Sequence, residues 1–378
     1  MDKETGKISP FIVMDILKKA RQRPDAIHME VGEPDLPPSP KVEGAFLKAI
    51  RDRRFFYTPA SGLLELRERI SEHYYKTYNV NMSPERILIT PGTSGAFLIA
   101  LALFVEKSKR LVLSDPSYPC YKNFAYFLDI EPHFIFVNRE THYEIIPEML
   151  GEIENIGVLM VSSPSNPVGS LYRRNTLKRL IEFCREQRIW FISDEIYHGL
   201  VYDEREHTAL EFSNDSIVIN GFSKYFCMPG FRIGWVILPE KFIRRAEILI
   251  QNIFIAANTP AQYAAIEAFD YRYLETVKNT FKKRRDILYE GLKDAFDIPS
   301  KPEGAFYIWA DITRYGMDSI KFCELLLEKK AVAVTPGIDF GRNKTDRFVR
   351  FTYTRDISHL KEGIRRIMKF VRDHTGKT

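Results

Sequence analysis

Short apolar and β-branched runs alternate with longer helical patterns along most of this chain, and that alternation restricts its fold more than any other feature. Strands are expected at Arg86–Thr90, Arg110–Ser114, Gly157–Ser162, Ile189–Asp194, Ser216–Asn220 and Gly234–Leu238. Several are apolar on both faces, the pattern of strands covered by helices on both sides. Helical periodicity lies between them, at Ala96–Glu106 and Arg173–Arg188. Such an alternation builds an α/β fold with a mainly parallel sheet.

At 378 residues the chain exceeds one ordinary core, so a large domain and a smaller one are expected. A long helical pattern runs from Pro260 towards Ala295, and Pro299 and Pro302 then interrupt it, which marks a domain boundary. Beyond it come a strand at Ala305–Ala310, a helix at Ser319–Lys329, strands near Val332–Thr335 and Phe348–Tyr353, and a last helix from Ser358. This tail reads as α+β. An N-terminal helix, Ile12–Gln22, is set apart by the proline-rich Gly32–Pro40 segment. The expected division is an N-terminal arm that joins the small domain (1–40), a large domain (41–290) and a C-terminal small domain (291–378).

Composition removes several function classes. The 55 basic and 50 acidic residues are mixed along the chain, with no basic arm, so nucleic acid is not an expected partner. Cys120, Cys184, Cys227 and Cys323 form no CxxC pair and have no histidines at ligand spacing, so reduced thiols are expected and no metal site. The first ten residues are charged and lack the apolar run of a signal peptide. The most apolar stretch, Ala96–Val105, is about half of the ~20 residues a membrane span needs. A cytoplasmic protein without membrane contact is the expectation.

Four clusters follow the ends of expected strands, where open α/β sheets bind ligands. Thr90-Pro91-Gly92-Thr93-Ser94-Gly95 suits a phosphate at a helix N-terminus, or is an ordinary strand–turn–helix with Thr or Ser as its cap. Asp115-Pro116-Ser117-Tyr118-Pro119-Cys120-Tyr121 offers Tyr118 as a flat plate for an aromatic ring, or as a buried loop aromatic. Ser163–Gly169 and Ser193–Tyr197 bring Asn166 and Tyr197 as donors for one phenolic oxygen. They also bring Asp194, an expensive carboxylate at the end of an apolar strand unless a cation or a helix cap accounts for it.

The fourth cluster runs Asn220-Gly221-Phe222-Ser223-Lys224 and then Met228-Pro229-Gly230-Phe231-Arg232-Ile233-Gly234-Trp235. A lysine is most often a solvated surface group. Lys224 instead follows a buried strand, stands among aromatics and precedes a turn that carries Arg232 back to the sheet. A desolvated lysine has a lowered pKa and becomes a usable amine nucleophile.

Taken in order, these clusters resemble the fold-type I pyridoxal 5'-phosphate (PLP)-dependent aminotransferases, class I/II, the aspartate and aromatic aminotransferase family. The likeness runs from Val31-Gly32-Glu33-Pro34-Asp35 to the Val349-Arg350-Phe351 strand. It implies a seven-stranded, mainly parallel sheet in a large PLP-binding domain, with a smaller α+β domain. It implies that Lys224 forms the Schiff base with PLP and that Asp194 pairs with the pyridine nitrogen. Asn166 and Tyr197 would hold the ring's 3-oxygen, and Tyr118 would stack on the ring. Gly92, Thr93, Ser94, Ser223 and Arg232 would surround the phosphate, although many relatives place a serine where this chain has Gly221. Tyr57 would reach the phosphate of a neighbouring subunit, making the active unit a homodimer.

For the substrate, the resemblance assigns Arg350 to the α-carboxylate, with Gly32 as a backbone contact nearby. The strand pattern supports this, because Arg350 alternates with Val349 and Phe351. A surface ion pair is the plainer alternative, and it suits Arg347 and Arg355 better. The implied reaction is amino transfer between an L-amino acid (aspartate, aromatic or similar) and a 2-oxo acid such as 2-oxoglutarate, with ping-pong kinetics. A β-carbon–sulfur lyase on the same scaffold is the alternative. A PLP-sensing regulator would need a DNA-binding segment, and none is expected before Pro34. An acidic substrate would need a second cation; Arg23, Lys18 and Lys109 are available bases, while Phe11, Phe55, Phe56 and Tyr307 keep aromatic substrates open.

Overall fold

The computed structural model describes residues 4–106 and 108–374. In chain order, α1 (Ile12–Arg21), β1 (Ile27–His28), α2 (Pro40–Arg51) and α3 (Leu64–Tyr78) lead into the alternating region. There β2 (Ile87–Thr90), α4 (Gly92–Phe104), β3 (Arg110–Asp115), α5 (Cys120–Phe127) and β4 (Pro132–Phe136) are followed by β5 (Ile156–Ser162), α6 (Arg174–Glu186) and β6 (Trp190–Asp194). Then come β7 (Ile217–Gly221), β8 (Gly234–Ile237), α7 (Glu240–Ile253), α8 (Thr259–Ile266) and α9 (Tyr271–Leu292). The C-terminal unit holds β9 (Tyr307–Asp311), α10 (Ser319–Lys330), β10 (Val332–Ala333), β11 (Thr335–Pro336), β12 (Phe348–Thr352) and α11 (Ile357–Arg372).

The large sheet has seven strands in the order β2-β8-β7-β6-β5-β3-β4. All neighbours pair in parallel except β8, which is antiparallel to both β2 and β7. The α/β architecture is therefore the expected one. Every residue of β2 and β7 is buried, and the two faces of the sheet carry separate apolar clusters. That burial explains why these strands read as continuous apolar runs. Strand order reverses between β3 and β5, and the crevice at such a reversal is where ligands bind in open α/β sheets.

The smaller unit has an antiparallel sheet, β11-β12-β9, and a parallel pair, β1 with β10. The β1 pairing ties the N-terminal stretch to the C-terminal unit, with Ile27 opposite Val332. The expected strand Val332–Thr335 is in fact two: the chain leaves β10 at Ala333 and enters a different sheet at Thr335. The expected helix from Pro260 to Ala295 is also two, α8 and α9. Phe269 lies between them and buries its ring 5.3 Å from both His73 and Phe226, which requires the chain to turn there.

Strand β4 had no counterpart in the sequence reading. It begins at a proline and ends at the exposed Phe136, as an edge strand allows, which blurs its signal. Helix α4 starts four residues earlier than its periodicity indicates, at Gly92. Among the described residues, no helix is long and apolar enough to cross a membrane. No group of three or more His, Cys, Asp or Glu side chains is arranged for a metal among them either.

Candidate active site

The carboxyl ends of β2, β3, β5, β6 and β7 converge on a cleft of about 240 Å³. Thr93, Tyr118, Asn166, Asp194, Tyr197 and Lys224 line it from the large unit, and Gly32 and Arg350 from the smaller one. Residues as far apart in sequence as Gly32 and Arg350 thus meet in one space.

Asp194 terminates β6, buried, with its carboxylate facing the cleft. It accepts hydrogen bonds from the Tyr121 hydroxyl and from the Ile196 N–H, the latter at 3.1 Å. No helix begins at Glu195, so the helix-cap alternative gives way to a tight turn closed by the Asp194 side chain. Burial pushes this carboxyl up to about 6, opposed by the Tyr121 and Ile196 hydrogen bonds and by the positive charge of Lys224. No ion pair within 4 Å satisfies it among the described residues. A cationic group in the cleft would relieve that cost.

Lys224 follows β7 in a bend, and its Nζ donates to the Gly32 carbonyl at 2.7 Å. Burial lowers its pKa to about 8, with Arg350 and Arg232 adding repulsion and Glu33 and Asp194 opposing it. An ammonium that gives up its proton this readily is a competent nucleophile near neutral pH. The close approach at Gly32 needs a glycine, because a Cβ there would collide with the Tyr307 hydroxyl.

Arg350 is buried in β12 between the rings of Tyr307 and Phe340, at 4.3 and 4.7 Å from their centroids. Its Nη1 donates to Asn166 Oδ1 at 2.8 Å, and its Nη2 to the Glu30 carbonyl at 2.6 Å and to Thr335 Oγ1 at 3.3 Å. Its Nε has no partner among the described residues, and none of these bonds reaches a carboxylate. The surface-pair alternative therefore fails for Arg350, whereas Arg347 is exposed. Asn166 spends its carbonyl oxygen on Arg350, leaving its amide group to donate elsewhere. The hydroxyls of Tyr197 and Tyr307 share a 2.6 Å hydrogen bond.

The turn from β2 into α4 forms the far end of the site. Gly92 has φ +67°, and a Cβ on it would strike the guanidinium of Arg232. Helix α4 lacks any side-chain cap, contrary to the plainer expectation, so its first N–H groups stay available to an anion. Arg232 adopts φ 55° and donates to the Pro229 carbonyl at 3.1 Å. Gly92, Ser94, Ser223 and Arg232 do not line the cleft itself, although Arg232 stands against Gly92. Tyr57 is not brought to it either; it stands 79% exposed beside Phe56, at 83%.

Two site residues carried no role in the sequence reading. Tyr121 lies in the first turn of α5, three residues beyond Tyr118, and their rings meet edge-on with centroids 5.3 Å apart. Tyr307, in sequence merely one of several aromatics, touches Tyr197, Arg350 and Gly32. Of the three bases considered for a second carboxylate, none lines the cleft. Lys18 and Lys109 are exposed, and Arg23 donates to the carbonyls of Leu327 and Glu328 at the end of α10.

The donor set fits an anionic, ring-bearing cofactor: uncapped amides at one end, a buried amine at the middle and an unpaired carboxylate below. Comparison with known proteins agrees with that geometry. The family described as aminotransferase class I and II matches residues 24–367. The chain is 37% identical to the (5-formylfuran-3-yl)methyl phosphate transaminase of Methanocaldococcus jannaschii, over 98% of this chain and 99% of that protein. It is 32% identical to the valine–pyruvate aminotransferase of Mycobacterium tuberculosis, over 95% and 96%. A crystal structure of an aminotransferase from Mycobacterium tuberculosis is similar with TM-score 0.94, at 31% identity and 98% coverage of both chains.

Proposed function

This chain belongs to the class I and II aminotransferases, and from that premise we propose that it moves an amino group between an L-amino acid and a 2-oxo acid, using PLP held on Lys224. One observation carries the reading: a buried amine with its pKa lowered to about 8 shares a cleft with a buried, unpaired carboxylate. The lyase alternative is not favoured, since the similar proteins are named as transaminases or aminotransferases. Adding PLP to the purified protein should give a yellow species that borohydride fixes on Lys224. Amino transfer should then be stoichiometric with 2-oxo acid release; ammonia and pyruvate from cysteine conjugates would favour the lyase instead.

When bound, PLP supplies an electron sink for the pair left behind as the Cα proton departs. The chain's own residues do the rest. Gly92, Thr93, Ser94, Ser223 and Arg232 would hold the phosphate through backbone N–H groups, hydroxyls and a guanidinium. Asp194 would keep the ring nitrogen protonated, with Tyr121 and the Ile196 N–H fixing the carboxylate. Asn166 and Tyr197 would donate to the ring's 3-oxygen, and Tyr118 would cover one ring face. Lys224 would also serve as a local base that carries the Cα proton, a role typically worth ~10²–10⁴ in rate. Aspartate, aromatic and neutral amino acids as donors, with 2-oxoglutarate or pyruvate as acceptor, form the starting panel, the valine–pyruvate relative motivating its neutral members.

Arg350 would fork the substrate α-carboxylate, helped by the backbone at Gly32. Arg350→Lys replaces a planar fork by a point charge and removes at least one charge-assisted hydrogen bond, about 1.5–3 kcal/mol. The expected result is a rise of roughly 10- to 100-fold in KM for the amino acid, with a smaller change in kcat. Unchanged Michaelis constants would remove Arg350 from this role.

We further propose a homodimer. Phe55, Phe56 and Tyr57 are exposed together, an unusual display for aromatics unless a partner covers them. Tyr57 would then reach the neighbour's phosphate. Sedimentation at micromolar protein should give twice the chain mass; a fully active monomer would exclude this arrangement.

A further inference from the structure

The side chain of the amino donor has to occupy the part of the cleft that Lys224, Asp194 and Arg350 leave free. That part is mostly apolar, and among the described residues its one further charged group is Glu33, whose carboxylate would repel a second one. Phe11, Val13 and Met14 enter it from the start of α1, opposite Phe97 and Tyr118. Phe11 sets its ring edge-on to Tyr118, with centroids 6.2 Å apart at 78°. Among the described residues lining the cleft, only Lys224 and Arg350 carry positive charge. The proposed activity commits the first to PLP and the second to the α-carboxylate. Lys122 and Arg342 line a separate depression beside Asp115, of which Tyr118 forms one wall.

The wall made by α1 is held from the C-terminal unit. Asp339, buried in the turn after β11, accepts hydrogen bonds from the N–H groups of Ile12 and Val13, both at 3.3 Å. No side chain of α1's own caps that end. A carboxylate is favoured there, because it answers both the unpaired N–H groups and the positive end of the helix. Asp339 thereby fixes where Phe11, Val13 and Met14 stand.

We infer that α1, clamped by Asp339, closes the side-chain compartment as an apolar wall, so that the amino donors taken here carry neutral side chains and not a second carboxylate. This rests on the proposed aminotransferase reading and narrows its substrate class. A donor with an acidic side chain would place an unpaired charge against Phe11, Val13 and Met14, which burial penalises strongly. Leaving a buried charge unpaired is expected to separate the two donor classes by ~10²-fold or more.

The test uses the PLP-loaded enzyme and follows loss of its cofactor absorbance in single half-reactions. Leucine, methionine, phenylalanine and alanine are compared with aspartate and glutamate. The best neutral donor is expected to exceed both acidic ones by at least ~10²-fold in kcat/KM. Equal or greater rates with aspartate or glutamate would overturn the inference while leaving the aminotransferase reading intact. Failure of every donor, with no borohydride-fixed cofactor on Lys224, would instead overturn the reading beneath it.

Two variants locate the selectivity. Met14 lines the cleft yet is 52% exposed, so Met14→Arg adds a cation without burying it. It should raise the aspartate-to-leucine ratio of kcat/KM at least tenfold; an unchanged ratio would show that α1 does not set specificity. Asp339 is a positioning residue, so Asp339→Asn should raise KM for leucine several-fold with kcat and cofactor absorbance little changed. A fall in kcat with KM unaltered would place its influence elsewhere.

Discussion

Lys224→Ala is expected to abolish turnover, by a factor of at least ~10⁴, because two separate functions of one amine disappear together. On the proposed reading the variant would lose the covalent hold on PLP and the group that carries the Cα proton. Folding should not suffer. Burial already lowers the Lys224 pKa, so the charged amine is a burden on the native state, and its removal abandons one hydrogen-bond partner among the described residues, the Gly32 carbonyl. The unfolding temperature of the variant is therefore expected to match the parent, which separates a chemical loss from a structural one. The pKa also gives a sign in pH. With a value of about 8 the neutral amine gains as pH rises, so capture of PLP by cofactor-free parent protein should accelerate roughly tenfold between pH 7 and pH 9. Near-normal turnover in Lys224→Ala, or capture that slows as pH rises, would refute the assignment.

Asp194→Asn tests the other half of the site and is expected to lower kcat by ~10²–10³ or more, the range for loss of one preorganised electrostatic contact in a dry site. The amide keeps the shape of the carboxylate and can still accept from Tyr121 or Ile196, yet it cannot hold a proton on a ring nitrogen through charge. PLP should still be fixed on Lys224 by borohydride, so the loss would not reflect an empty site. Asp194→Glu should recover part of the rate. The parent carries a further signature. Burial raises this carboxyl to about 6 and a cation beside it lowers it again, so turnover should decline as pH falls through 6 or somewhat below. That acidic limb should vanish in Asp194→Asn. A loss smaller than tenfold would mean that the carboxylate does not govern the ring.

Much of this was legible before any coordinates, for a physical reason. Strands buried on both faces, such as Val158–Val161 and Ile217–Ile219, must be apolar throughout, and helices must be amphipathic, so the α/β alternation is written at short range. Residues at strand ends show themselves as polar or glycine-rich breaks in those runs, which is how Asp194, Lys224 and the Gly92 turn were found. The failures have equally local causes. Periodicity could not register that Phe269 turns aside into a pocket of aromatics, splitting one expected helix into α8 and α9. Nor could it show that Thr335 leaves the strand pair of Ala333 for another sheet.

The sequence by itself determined the fold class, the family and the identity of the polar groups at the strand ends, since these follow from the order and spacing of residue types. Only the tertiary structure decided that Tyr121 supports Asp194, that Tyr307 joins Tyr197 to Arg350, and that Asp339 holds α1 across the cleft. These contacts join residues 73, 110 and 326 positions apart. No local pattern encodes them, because they exist only after the large unit has folded and the smaller one has packed against it, which brings distant surfaces within hydrogen-bonding reach.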